Sequence, residues 1–394
     1  MDLIELLNYA LAFMAVYVVI FYFLLLFIYK KQYDEEPRAI KWTPKVSVVI
    51  PAYNEEEHIE KCIRSILSLD YPKDKLEVLV IDDGSTDKTA EIARKFVSNG
   101  VKVFRKENGG KGRALNYGIQ RANGEFIITM DADSYVCPHT LRQLLPYFKD
   151  KEVMAVTPAI KIEPSNSLIK ELQRIEYLMI IFSRKLLSFI DAVPVTPGPF
   201  SMFRAKVFRE IGGFDEDNLV EDQEIALRMQ AHHYKIRSSV NADVYTNPPT
   251  TFSELLRQRV RWQRGGVRNY WKYRFMIRPE YGDFGMFFIP LNFLTLAAFF
   301  VVLGLMINAV FSTPYYIRYI LIESIGLSID ELTIPLFFAG VASVAWLFLV
   351  IKCFEKERVG LLPLAVYYLF YWYLMLGYNL IMVYQELKGE KKAW

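Results

Sequence analysis

Three groups of carboxylates stand out in this sequence. Asp82-Asp83 ends one apolar run, Asp131-Ala132-Asp133 ends another, and Glu221-Asp222 opens a helical pattern after Gly213-Phe214-Asp215. Asp-x-Asp sets two hard oxygen ligands one residue apart. Magnesium-type ions take one or two protein carboxylates and complete their shell from phosphate and water, so this spacing suits a cation shared with a phosphate. Gly109-Gly110-Lys111-Gly112 offers backbone amides and a lysine where a helix would start, an arrangement that suits an anion. It is not a P-loop, because Gly112 stands where Ser or Thr would be needed. Nor does GxGxxG follow the first apolar run, so a Rossmann dinucleotide site is not expected. Further along, Gln258, Arg261 and Trp262 fall on one helix face. Arginine matches a diphosphate, and an indole matches the apolar face of a sugar ring.

These residues need a scaffold that gathers them. Residues 46–50, 76–81, 101–104 and 126–130 read as buried strands. Residues 59–69, 89–97 and 113–122 read as the helices between them. Such alternation predicts an α/β domain with a mainly parallel sheet covered on both faces. Ligands of these sheets bind at the carboxyl ends of the strands, which is where the carboxylates lie. Two later segments are amphipathic. In residues 168–189 apolar positions recur in steps of four and three, leaving Lys170, Glu171, Arg174, Arg184 and Lys185 to the other face. Residues 257–278 carry eight basic side chains and no acid. Both are expected to be interfacial helices beside a membrane.

The 394-residue chain has 47 Lys+Arg against 44 Asp+Glu, a net charge of only +3, which argues against nucleic acid as a partner. Four stretches, residues 6–29, 285–311, 334–351 and 359–383, hold no Asp, Glu, Lys or Arg. Each is near or above the length a helix needs to cross a bilayer. A wholly soluble globule, a disordered chain and a pure multi-span channel are therefore excluded. The first stretch is too long for a signal-peptide core and is expected to remain as an anchor. Lys30-Lys31 follow it, so the positive-inside rule puts the next segment in the cytoplasm of a cell-membrane protein. Four crossings would return the tail outside although it carries Lys388, Lys391 and Lys392, and residues 312–332 are a candidate re-entrant piece. The expected organisation is a transmembrane helix over 1–32, a linker over 33–44, a cytosolic catalytic domain over 45–250 and an interfacial helix over 251–280. A membrane region of about three helices over 284–384 and a tail over 385–394 complete it. Cys62, Cys137 and Cys353 show no metal spacing and read as thiols in a reducing compartment.

Pro51-Ala52-Tyr53-Asn54-Glu55, Asp82-Asp83-Gly84-Ser85, Asp131-Ala132-Asp133, Glu221-Asp222 and Gln258-x-x-Arg261-Trp262 occur in that order. As an ordered set over about residues 45–274, they resemble the membrane-bound family 2 glycosyltransferases. That group contains cellulose, chitin, hyaluronan and poly-N-acetylglucosamine synthases and ceramide glucosyltransferase. The resemblance implies a GT-A catalytic domain, a nucleotide-sugar donor (a UDP-sugar first) and Mg2+ or Mn2+. Carried over, Pro51, Tyr53, Glu55 and Asp82 or Asp83 would border the base and ribose, with Lys111 at the diphosphate. Asp133 would be the firmer metal ligand, with Asp131 near both ribose and metal. Asp222, beside Glu221, would be the general base. Gln258 and Arg261 would border the diphosphate, and Trp262, Gly198 and Ser201 the acceptor. Two departures are Val220, where synthases often carry Thr, and the proline-rich stretch 195–201.

A nucleoside diphosphate leaves without a proton once cations absorb its charge, so one base suffices where a glycosidase needs two carboxylates. The expected reaction is a single inverting displacement onto a growing glycan, the alternative being one sugar added to a membrane lipid or polyprenyl-phosphate carrier. Glycan or lipid acceptor, bilayer and a second copy of the chain are thus the candidate partners. A transporter or nucleotide-binding scaffold is the competing class. Against it, the four apolar stretches carry none of the acidic or basic residues expected of an intramembrane relay.

Overall fold

The computed structural model describes residues 3–37, 41–312, 333–354 and 357–389. The region 313–332 and most of the basic tail therefore lie outside the described residues, as does part of the linker. The chain divides into two compact units, one of residues 1–30 and 287–358 and the other of residues 31–286 and 359–394.

The second unit holds an eight-stranded sheet in the order β3-β2-β1-β4-β7-β6-β8-β5. Its strands are β1 (Val46–Ala52), β2 (Leu76–Asp82), β3 (Val101–Arg105), β4 (Phe126–Thr129), β5 (Ser134–Val136), β6 (Val153–Lys161), β7 (Met202–Arg204) and β8 (Lys235–Thr246). β1 pairs in parallel with β2 and β4, and β2 with β3. β7 runs antiparallel to both β4 and β6, while β6 and β8 are parallel again. The sheet is mixed but mainly parallel, as the alternation requires. In β1 every residue is buried, and side chains alternate between faces. Val46, Val48 and Ile50 join Val78 and Val80 in one core. Val49 joins Leu79, Ile81 and Ile127 in the other.

Register decides where the chemistry sits. Ala52 pairs with Asp82, so the residues after β1 emerge beside the Asp82-Asp83 turn. Val49 pairs with Thr129, so β4 delivers Asp131 and Asp133 to the same edge.

The first helix is α1 (Leu3–Asp34), and those that cover the faces of the sheet are α2 (Ile59–Leu67), α3 (Thr89–Arg94), α4 (Lys111–Ile119), α5 (Thr140–Leu144), α6 (Leu168–Leu187), α7 (Ala205–Glu210), α8 (Glu221–Ala231) and α9 (Phe252–Lys272). α2 buries Ile59, Cys62, Ile63 and Ile66, the stripe expected of a surface helix. α4 approaches β1 closely at Gly118, where a Cβ would come 2.3 Å from Val49 Cγ1. α9 begins with a capping box, Thr251 accepting from the Glu254 amide while the Glu254 carboxylate accepts from Thr251 N.

α6 departs from expectation. The period is helical, but Glu171, Arg174, Arg184 and Lys185 are buried rather than turned to water. Buried charges persist only when paired. Arg174 lies 3.0 Å from Glu171, Lys185 lies 2.8 Å from Glu36, and Arg184 donates to the Pro158 carbonyl at 3.0 Å.

Among the described residues, three helices are long and apolar enough to cross a membrane: 6–34, 284–305 and 361–387, with 340–353 a shorter apolar helix. In the first unit the Phe21 and Phe287 rings lie tilted against each other, with centroids 3.8 Å apart. The helix Leu361–Leu387 groups with the sheet-bearing unit instead of with the other apolar helices. The reason lies at its end, where Glu386 lies 2.9 Å from Arg268 and also pairs with Arg264 of α9.

Candidate active site

The loops after β1 and β2 are stitched together before any ligand enters. Asn54 adopts a left-handed backbone (φ 55°), which asparagine tolerates better than most residues. Its side-chain oxygen accepts from the Thr86 amide at 2.8 Å, and its amide donates to Ser85 Oγ at 3.1 Å. The Glu55 amide donates to Thr89 Oγ1 at 2.7 Å. Pro51 is buried in β1, whereas Tyr53, just beyond the strand, is 48% exposed.

Asp82 and Asp83 are buried and take different roles. Asp82 accepts from the Ser85 amide at 3.0 Å and lies 3.2 Å from Arg105. Asp83 accepts from the amides of Gly109 and Gly110 (3.1 and 2.7 Å) and from Lys106 at 2.5 Å. Asp83 thus pins the glycine turn that starts α4, whose first residue, Lys111, reaches Asp131 and Glu221.

Lys111 is the hub. Its Nζ lies 2.7 Å from Asp131 Oδ1 and 3.3 Å from Glu221 Oε1. Burial would weaken the ammonium, but Asp131, Glu221 and Asp222 outweigh it and hold Lys111 charged. Gly198 presses against the same pair: a Cβ there would meet Asp131 Oδ1 at 2.5 Å and Lys111 Nζ at 2.6 Å. Asp222 is pushed up to about 6 by burial and by the neighbouring Glu221 charge, against the pull of Lys111 and Arg261. Thr196 anchors the proline-rich loop to it, donating its amide and hydroxyl to the Asp222 carbonyl at 3.1 and 3.0 Å. Ser201 is fully buried and gives its hydroxyl to the Pro197 carbonyl at 2.6 Å, so it shapes that loop from behind.

Asp133 accepts from Ser134 Oγ at 2.9 Å, and burial with the adjacent Asp131 charge pushes it up to about 6. Glu55 is raised by burial and by Asp133, with His58 opposing at 3.1 Å. Among the described residues no group of three or more His, Cys, Asp or Glu gathers to form a complete metal cage. The donor set nevertheless fits a magnesium-type ion, which takes one or two carboxylates and leaves positions for phosphate and water. Two acids that repel each other here, Asp131 and Asp133, are those a cation would relieve.

α9 supplies the far wall. Arg261 donates to the Leu219 carbonyl at 2.9 Å, next to the start of α8, and its charge reaches Asp222. Gln258 and Trp262 are half-buried and both touch Arg259, which the motif reading passed over. Lys106 and Glu176 likewise have no spacing signal in the sequence, since each is tied to the site through a contact that only the fold makes.

Residues 47–212 match the family model described as Glycosyl transferase family 2. Among curated proteins, a poly-beta-1,6-N-acetyl-D-glucosamine synthase of Staphylococcus epidermidis is 32% identical over 234 residues, covering 57% of this chain and 56% of the relative. The protein of the same description from Staphylococcus aureus strain COL is 32% identical over 225 residues, 56% and 54% of the two chains. The alignment thus spans little more than half the length of these relatives. A mannosyltransferase from Pyrobaculum calidifontis, solved with GDP-Man and Mn2+, superposes with a TM-score of 0.64 at 22% identity over 90% of this chain and 100% of that one. This last likeness establishes a common GT-A-like fold.

Proposed function

We propose, from the family 2 glycosyltransferase domain that this chain carries, that it is an inverting, membrane-anchored hexosyltransferase. It moves a sugar from a nucleotide-sugar, UDP-sugars first, to a growing glycan. One observation carries the reading: Lys111 is held between Asp131 and Glu221 with Asp222 adjoining, all at the carboxyl edge of the sheet.

The stitched loops at Tyr53–Glu55 and Asp82–Ser85 receive the base and ribose. Lys111 and Arg261 bring positive charge to the diphosphate, where preorganised cations stabilise the charge that develops on departure. Asp133, with Asp131, would hold Mg2+ or Mn2+, which when bound supplies further positive charge for the leaving group. Asp222 takes the proton of the acceptor hydroxyl as its oxygen bonds to the anomeric carbon. The bond from that carbon to the phosphate oxygen breaks, and the nucleoside diphosphate leaves with the electron pair. With a pKa of about 6, Asp222 is ionised at neutral pH yet more basic than an ordinary aspartate, the balance that general-base catalysis favours. Trp262 offers its indole to the acceptor sugar.

The apolar helices support membrane anchoring, and Lys30-Lys31 after the first of them support a cytoplasmic catalytic domain. The polysaccharide synthases among the relatives support a glycan acceptor over a single addition to lipid. Purified protein in native lipids, given a panel of UDP- and GDP-sugars with Mg2+ or Mn2+, tests this directly. A ladder of products is expected with one donor. A single added sugar on lipid would replace extension by glycolipid or lipid-carrier synthesis, and no nucleoside diphosphate release from any donor would reject the reading.

A further inference from the structure

The sheet-bearing unit places a buried cation beside two of the side chains assigned to the site. Arg259 of α9 is 3% exposed. Its Nε lies 3.2 Å from Glu176 Oε1 of α6, and its Nη2 donates to the other oxygen of that carboxylate, so the pair is bidentate. Its Nη1 donates to Gln258 Oε1. The guanidinium carbon lies 4.2 Å from the centroid of the Trp262 ring, within cation–π range. Tyr371 of the Leu361–Leu387 helix lies within electrostatic reach of both members of the pair.

An ion pair this deeply buried is poor value as a source of stability, since well-packed apolar residues often do as well. What it provides is direction. The guanidinium is a rigid planar fork that satisfies a carboxylate with one edge while its face lies on an indole. Glu176 fixes the fork, and the fork orients the Trp262 ring.

Building on the glycosyltransferase reading above, we propose that Arg259, locked by Glu176, is a positioning residue for the acceptor: it holds the Trp262 indole in the pose that receives the acceptor sugar. Arg259 touches no reacting atom and acts through Trp262. Its loss therefore impairs acceptor use while leaving donor capture nearly unchanged.

The experiment uses the full chain in native lipids, with variants R259M, R259K, E176Q, W262L and the double variant R259M/W262L. Nucleoside diphosphate release is measured against donor and acceptor concentration separately. R259M is expected to raise the acceptor KM or lower kcat by about tenfold or more, while the donor KM stays within about twofold, as for an interaction made on the acceptor side only. E176Q, nearly isosteric, is expected to move the same parameters by a smaller factor and carries the test should R259M fail to fold. R259K, which keeps the charge but loses the fork, is expected to rescue little. The double variant is expected to be no worse than W262L, because residues acting through one another are non-additive. Equal changes in donor and acceptor KM, full rescue by lysine, or multiplying losses would overturn the proposal. Acrylamide quenching of tryptophan emission, taken as the difference from W262L, reads the ring without turnover. Greater accessibility of Trp262 in E176Q supports the pair as its holder, and unchanged accessibility opposes it. Should the unaltered protein release no nucleoside diphosphate, the enzyme reading fails, whereas this quenching difference still judges the positioning.

Discussion

Replacing Gly198 by alanine isolates the hub of the site from the fold around it. The added methyl would stand 2.5 and 2.6 Å from the two Asp131 carboxylate oxygens and 2.6 Å from Lys111 Nζ. No carbon is tolerated at those separations, so something must move. All three obstructing atoms end flexible side chains, 31% and 25% exposed for Lys111 and Asp131, so the side chains yield and the backbone does not. What is lost is the 2.7 Å ion pair that fixes Lys111. Hydrogen bonds to charged groups contribute about 1.5–3 kcal/mol. If that interaction is needed in the transition state, kcat/KM for the donor falls by about ten- to a hundredfold. For the fold, Lys111 keeps Glu221 and the displaced groups reach water, so the cost stays near about 1 kcal/mol or below and the melting temperature should shift by less than about 4 °C. Both are measured on one preparation, by nucleoside diphosphate release and by a thermal scan. Unchanged kcat/KM would refute the assignment of Lys111–Asp131 as the hub. A large fall in melting temperature with proportionate loss of activity would show that the backbone, not the ion pair, had absorbed the methyl.

Two carboxylates near 6, Asp222 and Asp133, must both be ionised in the free enzyme, one to take a proton and one to hold metal. Plotted against pH, log kcat/KM should therefore fall below about pH 6 with a slope approaching two, and excess Mn2+ should reduce it towards one. A slope of one at all metal concentrations would remove one of the two from the mechanism. Glu77 tests the scaffold. Burial opposes its charge, yet hydrogen bonds from Lys102, Ser47 and Asn123 hold it down at about 2 from an ordinary 4.5. Because the folded value is depressed, its contribution is present above pH 4.5 and is lost as pH falls towards 2. A shift of that size corresponds to roughly 3 kcal/mol, so E77Q should lower stability at pH 7 by about 2–3 kcal/mol and lessen the loss between pH 4.5 and 2. Parallel pH–stability curves for variant and parent would exclude the contribution.

The parts of this account that were legible in the sequence rest on local pattern. β1, β2 and β4 are short apolar runs, and the residues that follow them could be placed at one edge because parallel strands share a direction. What escaped was pairing over distance. Of the eight basic residues in 257–278, which the sequence marks as a membrane-interface segment, four take acidic partners from remote elements. Glu176 takes Arg259, Glu386 takes Arg264 and Arg268, and Asp215 and Glu224 take Lys272. Lys185 is neutralised by Glu36, 149 positions away, so its helix could bury a face that looked polar. Asp83 shows the same limit within the site. Its bonds to Gly109, Gly110 and Lys106 form only in the folded glycine turn, which no spacing in the sequence announces. The short strand β7 could not be read, because its antiparallel place between β4 and β6 depends on tertiary pairing.

Asp222 is proposed as the base of a single displacement at the anomeric carbon. The most direct test is the configuration of the new linkage, read by NMR on product made from an α-linked nucleotide-sugar, together with the turnover of D222N. The account predicts a β-linkage from the unaltered enzyme and loss of transfer by about a hundredfold or more in D222N, with donor binding retained. An α-linked product, or full transfer by D222N, would contradict it.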